Sequence, residues 1–132
     1  MLGSFKNANM LRQVLFVAIG SAIGGVTRFL IGKGLYGLYP QPFPLPTLAI
    51  NVAGSLLIGL LFGYASKSNS IPPDIMLMLT VGLCGGFTTF SAFSYENIVL
   101  MRSGAYTMVL VYITASVSMG ILATWLGIEL TR

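Results

Sequence analysis

The sequence predicts an all-α membrane protein, one domain over residues 1–132 built from four transmembrane helices with a break in the third. Three observations carry this. Of the 132 residues, 55% are hydrophobic and only 8% charged, against about a quarter charged in ordinary soluble domains. Mean hydropathy is +0.87, so most side chains face lipid or other helices, because so few charges cannot cover a surface in water. The charged residues fall between long apolar runs, and at about 20 residues per span four helices fit the chain with short connections.

Each element follows from the charges and the prolines. From Gln13 to Gly32 the only ion is Arg28, which places helix one at about residues 12–31. Tyr39-Pro40-Gln41-Pro42-Phe43-Pro44-Leu45-Pro46 cannot be helical throughout, since alternate prolines remove donors and force extended backbone. Pro46 suits the first turn of helix two, about 46–65. Lys67 to Asp74 is a polar turn with a Pro72-Pro73 stop, and the uncharged run from Ile75 to Tyr95 supplies helix three, about 75–101. Arg102-Ser103-Gly104 is a tight connection to helix four, about 106–126. Tyr36, Tyr39, Tyr106 and Trp125 fall near helix ends, where amphipathic aromatics sit at headgroup level. Lys6 and Arg12 before an apolar run containing Ala18 and Ala22 also resemble a cleavable leader, but the run continues well past any such cleavage site and is read as a retained span.

Composition excludes most chemistry. There is no His and one Cys, Cys84, so metal clusters, Cys/His nucleophile pairs and disulfide frameworks are unavailable within one chain. Asp74, Glu96 and Glu129 are dispersed with no obvious pairing, which argues against two-carboxylate catalysis and against an enzyme. The net charge of +4 comes from Lys and Arg lying between apolar spans. It is read as membrane topology, with no nucleic-acid partner.

Four basic residues (Lys6, Arg12, Lys67, Arg132) lie on the side of the termini and three (Arg28, Lys33, Arg102) on or near the other. So small a bias fits two readings, a modest preference for one orientation or insertion both ways with assembly of an antiparallel dimer. Gly20-xxx-Gly24, Ser21-xxx-Gly25 and Ser55-xxx-Gly59-xxx-Gly63 let helix backbones approach closely, and so much small-residue surface predicts an oligomer.

Polar groups at membrane depth locate candidate function. Asn51, flanked one turn away by Thr47 and Ser55, is either interhelical glue or part of a wet path, because a buried amide in hydrocarbon needs a partner. In Gly82 to Ser94, paired glycines followed by paired threonines suggest either a helix break with freed carbonyls or a glycine-rich packing contact. Phe90 and Phe93 share a helical face, as plain packing or as ring edges attracting an anion. Tyr112, Ser116 and Gly120 follow at four-residue spacing on helix four, with Thr114 and Ser118 around the side; such hydroxyls either line a path or bond back to their own helix. Arg28 and Glu96 are the ionisable groups within or beside the spans, an anion attractor or a snorkelling side chain in the case of Arg28.

Gly24-Gly25-Val26-Thr27-Arg28, Pro46-Thr47-Leu48-Ala49-Ile50-Asn51-Val52-Ala53-Gly54-Ser55 and Gly85-Gly86-Phe87-Thr88-Thr89-Phe90-Ser91-Ala92-Phe93-Ser94-Tyr95-Glu96 together resemble the small fluoride channels called Fluc or CrcB. The resemblance spans all four helices. It implies a multi-pass protein of the bacterial cytoplasmic (inner) membrane, an antiparallel dual-topology homodimer with two fluoride pathways that exports fluoride passively and protects against its toxicity. By the same resemblance, Phe90 and Phe93 are pore-facing rings with Asn51 beside them, and Ser91 and Thr47 are further polar lining. Tyr112 and Ser116 continue a polar track, which Gly120 interrupts for want of a hydroxyl. Arg28 lies near a vestibule and Glu96 near the pathway's other end. Backbone oxygens of Gly85 and Thr88 from both subunits hold a structural sodium ion at the dimer axis.

Two other classes compete. Small multidrug transporters also have four short spans and antiparallel dimers, but they couple export of organic cations to a carboxylate deep in the first helix, which this chain lacks. A non-transporting assembly subunit fits the small-residue stripes and leaves the Gly-Gly-Phe-Thr-Thr-Phe-Ser run unexplained.

Overall fold

A computed structural model describes residues 7–67 and 71–132; Lys6 and residues 68–70 of the second connection lie outside it. Helix α1 is Asn7–Leu38 and α2 is Leu45–Lys67. The third span is composite: α3 (Pro73–Leu77), a π-helical stretch (Met78–Cys84), one turn of α4 (Gly85–Phe87), two extended residues, and α5 (Phe90–Arg102). Helix α6 is Tyr106–Thr131. Residues 9–38, 45–67, 73–102 and 106–131 are each long and apolar enough to cross a membrane.

The largest departure from the expected boundaries is α1, which continues past Ile31 to Leu38. Lys33 does not end it, because no proline intervenes before Pro40, and Tyr39 N–H closes the last turn on Leu35 O at 2.8 Å. At 32 residues and ~1.5 Å per residue α1 is about 48 Å long, more than the ~30 Å hydrocarbon core. Pro72, extended at φ −56° and ψ 142°, leads into α3. The α5–α6 turn closes as a Schellman motif: Ala105 N–H bonds Leu100 O and Gly104 N–H bonds Met101 O, both at 3.0 Å, with Gly104 at φ 79°.

The spans pair as α1 with the first half of the third span and α2 with α6. Both pairings run through glycine. A Cβ on Gly24 would stand 2.8 Å from Phe87 N, and one on Gly86 2.6 Å from Ser21 O. On the other side, a Cβ on Gly127 would meet Leu60 N at 2.7 Å, and one on Gly59 would meet Thr124 Cα at 3.0 Å. Gly20, Gly24, Gly59 and Gly63 are therefore used in packing within the chain, whereas Gly25 faces open space. Threonine hydroxyls reinforce the α2–α6 seam. Thr124 Oγ1 is 3.1 Å from both Ser55 O and Gly120 O, and Thr131 Oγ1 is 3.0 Å from both Leu60 O and Gly127 O.

Leu48, Leu100, Val109 and Tyr112 form the buried cluster, flanked by Phe43, Val52 and Phe93. It ties α2, α5 and α6 together beside the proline-rich connection. At the opposite end Arg12 of α1 and Asp74 of α3 form an ion pair.

Candidate functional site at the interrupted third span

The interruption is at the threonines and not at the glycines. Gly85 and Gly86 are helical, Gly86 serving the close approach of α1, whereas Thr88 (φ −83°, ψ 160°) and Thr89 (φ −150°, ψ 115°) are extended. Branching at Cβ suits extended backbone, and a hydroxyl suits a cap. Thr89 supplies the cap of α5, its Oγ1 accepting from Ala92 N–H at 3.2 Å.

Asn51 of α2 completes the break. Its Oδ1 accepts from Thr89 N–H at 2.8 Å and its Nδ2 donates to Thr89 O at 3.2 Å. In a continuous helix Thr89 N–H would bond Gly85 O, and Ala92 N–H would bond Thr88 O. Both donors are committed elsewhere, so the carbonyls of Gly85 and Thr88 lose their helical partners. Gly86 O takes Arg28 Nε–H at 3.2 Å. Among the described residues no cluster of His, Cys, Asp or Glu could hold a metal ion. The two released carbonyls are hard oxygen donors of the kind a small cation accepts at an unwound membrane helix.

Thr89 separates two grooves, and lines both. The first, of about 390 Å³, is lined among others by Asn51, Ser55, Cys84, Gly85, Thr88, Phe90, Phe93 and Ser116. Ser116 Oγ is buried there with no hydrogen-bond partner among the described residues. The second, also about 390 Å³, is lined by Arg28, Lys33, Tyr36, Thr47, Ala92 and Glu96. Thr47, Asn51 and Ser55 do share a face of α2, but the break divides it between the two grooves. Arg28 and Glu96 line the same groove of this chain.

Glu96 is the hub of the second groove. Its Oε1 accepts from Thr47 Oγ1 at 2.6 Å and from the Tyr36 hydroxyl at 2.7 Å, while Oε2 accepts from the Tyr112 hydroxyl at 2.7 Å. Among the described residues the ion pairs are Arg12–Asp74 and Glu129–Arg132, so hydroxyls and not cations meet this carboxylate. Tyr36 was expected only as a headgroup aromatic. No local signal shows its role, because its partner lies 60 residues away.

The rings form a chain. Phe90 and Phe93 have centroids 5.6 Å apart, Phe93 and Tyr112 5.0 Å, and Tyr112 and Phe43 5.6 Å in an edge-to-face arrangement. Tyr112 is fully buried, whereas Phe90 is 79% exposed on this chain. Ser91 is exposed and lines neither groove; its hydroxyl lies 3.2 Å from Thr89 Oγ1. Ser118 is exposed and bonds back to Thr114 O at 2.6 Å. A Cβ on Gly120 would meet Ser55 Oγ at 3.6 Å, an ordinary contact, so this glycine offers packing and no hydroxyl. Hydroxyls, an amide and ring edges line the two grooves, and such groups suit holding and passing a small ion.

The family described as CrcB-like protein, Camphor Resistance (CrcB), matches residues 15–128. The chain belongs to the CrcB family. A CrcB-family relative from Methylobacillus flagellatus, named fluoride-specific ion channel FluC, is 47% identical over 122 residues, covering 91% of this chain and 94% of the relative. Proteins of the same name from Flavobacterium psychrophilum and Phocaeicola vulgatus are 41% and 43% identical over 122 residues, each covering 92% of this chain and 98% and 100% of the relatives. The CrcB match takes in all four spans, both grooves and the break, and the chain is a multi-pass membrane protein.

Proposed function

We propose that this chain is a fluoride-selective ion channel that lets fluoride leave the cytoplasm passively and so protects the cell from its toxicity. It acts without enzymatic chemistry. The observation that carries the proposal is the break at Thr88–Thr89, clasped by Asn51 between two polar grooves, in a chain whose relatives are named fluoride-specific channels. Fluoride is small and strongly hydrated, so a path for it has to replace lost water with donors and positive ring edges in a tight space. Asn51, Ser116 and the Phe90–Phe93 pair supply these in the first groove; Thr47 and Tyr112 supply hydroxyls beyond Thr89, and Ser91 lies beside the break. Chloride, being larger, gains less from that exchange.

The working unit is an antiparallel homodimer in the bacterial inner membrane. The support is that the first groove is open along one side and Phe90 projects from the chain, so a second copy inserted the other way round closes the groove and turns the ring inward. At the dimer axis the released carbonyls of Gly85 and Thr88 from both copies hold a sodium ion. Its charge shapes the field felt by a passing anion. Arg28 raises the local concentration of anions at the second groove.

In a bacterium deprived of its own fluoride export, expression of this protein raises the fluoride concentration that stops growth. No rise would contradict the proposal. Raised tolerance to organic cations instead would favour the small multidrug transporter, whose carboxylate in the first span has no counterpart in α1.

A further inference from the structure

On the channel reading above, we infer that Glu96 is a tethered competitor that occupies the anion-binding hydroxyls of Tyr36 and Thr47 in the second groove and of Tyr112 buried behind it, and that having to displace it makes the path select fluoride over chloride. A hydroxyl has one proton to donate. Those of Tyr36, Thr47 and Tyr112, from α1, α2 and α6, all go to the Glu96 carboxylate at 2.6–2.7 Å, the range of charge-assisted O–H···O⁻ bonds. While Glu96 stays in place, Thr47 and Tyr112 offer a passing anion only lone pairs. The contrast lies across Thr89, where Ser116 Oγ in the first groove has no partner. The Ser55 and Thr88 hydroxyls of that groove bond back to backbone carbonyls, so an anion leaving the first groove passes from the Ser116 hydroxyl, free among the described residues, to hydroxyls held by Glu96.

Displacement is an exchange of acceptors, and its balance depends on what arrives. Hydrofluoric acid is a weak acid of about carboxylic strength, so fluoride accepts hydrogen bonds as a carboxylate does and trades places with Glu96 at little net change. Hydrochloric acid is strong, and chloride accepts too weakly to do so. No other acid lies near enough to take over: among the described residues, Asp74 and Glu129 are engaged with Arg12 and Arg132. The second groove holds the cations Arg28 and Lys33, which draw anions in without choosing between halides.

The test is fluoride and chloride efflux, measured by ion-selective electrodes, from liposomes holding purified protein, with assembly checked by gel filtration. Glu96→Gln keeps the side chain's shape but replaces one acceptor oxygen by a donor. Its fluoride-to-chloride permeability ratio falls by about tenfold or more, the equivalent of one charge-assisted hydrogen bond. Tyr36→Phe removes one of the three bonds holding Glu96 while sparing Thr47 and Tyr112, and it shifts the ratio in the same direction by less. It decides the matter alone if Glu96→Gln does not assemble. A ratio within about twofold of wild type, or loss of fluoride flux in assembled protein, would overturn the competitor role. Wild-type protein that passes no fluoride would overturn the channel reading itself.

Discussion

The side-chain amide of Asn51 and the backbone peptide of Thr89 bond each other twice, at 2.8 and 3.2 Å. A helix break in a membrane leaves peptide groups that hydrocarbon cannot satisfy. Asn51 has one acceptor and one donor to offer the same peptide, so α2 fixes where the third span opens. Asn51 is interhelical glue at the break, and it also lines the first groove.

Asn51→Leu leaves the Thr89 peptide unpaired and invites its N–H back to Gly85 O. Thermal unfolding in detergent shows a loss of about 1–3 kcal/mol, and fluoride efflux from liposomes is lost with it. Asn51→Asp restores the acceptor but not the donor and recovers only part of the stability.

Gly24 and Gly34 lie on the same helix in different surroundings. Gly24→Ala pushes a methyl against the backbone of Leu83 and Phe87, where no flexible side chain can give way, and destabilises by about 1–3 kcal/mol. Gly34→Ala meets nothing within 4 Å and leaves the unfolding midpoint within about 0.5 kcal/mol of wild type.

The two phenylalanines separate path from packing. Phe93→Ile loses the ring contact with Tyr112, about 0.5–1.5 kcal/mol of stability, whereas Phe90→Ile, from an exposed position, leaves the folded protomer nearly unaffected. Fluoride efflux falls in both, by about tenfold if one ring-edge contact of that size is removed from the rate-limiting barrier. Unchanged flux in both would remove the rings from the path.

The Arg12–Asp74 pair joins the start of α1 to the start of α3, with the Arg12 side chain 65% exposed. Asp74→Asn therefore lowers stability by no more than about 1 kcal/mol at low salt. The difference shrinks toward zero at ~1 M salt, where screening acts within ~3 Å.

Most of the fold is legible in the sequence, because four uncharged runs punctuated by proline and charge leave little choice in a bilayer. The sequence points to a break within Gly82 to Ser94, from paired glycines followed by paired threonines, and only the threonines leave the helix. Glycine lowers helix propensity in isolation, whereas here the missing Cβ lets α1 approach, and lipid gives the backbone no better place for its polar groups than a helix. Thr88 and Thr89 break instead because Asn51 stands opposite, a fact of tertiary structure. The same holds for Glu96, whose three hydroxyl partners come from residues 36, 47 and 112. No spacing along the chain brings these together. The π-helical turn before the break had no signal in the sequence either.

Sodium-free conditions probe the released carbonyls of Gly85 and Thr88. Replacing sodium by a large organic cation lowers the unfolding midpoint of the purified protein and reduces fluoride efflux, and sodium restores both.

The decisive experiment is efflux from liposomes loaded with fluoride or chloride, with potassium and valinomycin balancing charge and no proton gradient imposed. Wild-type protein empties the fluoride vesicles passively, and chloride stays behind. Equal release of both halides, or fluoride release only when a proton gradient is applied, would contradict a selective channel at the interrupted span.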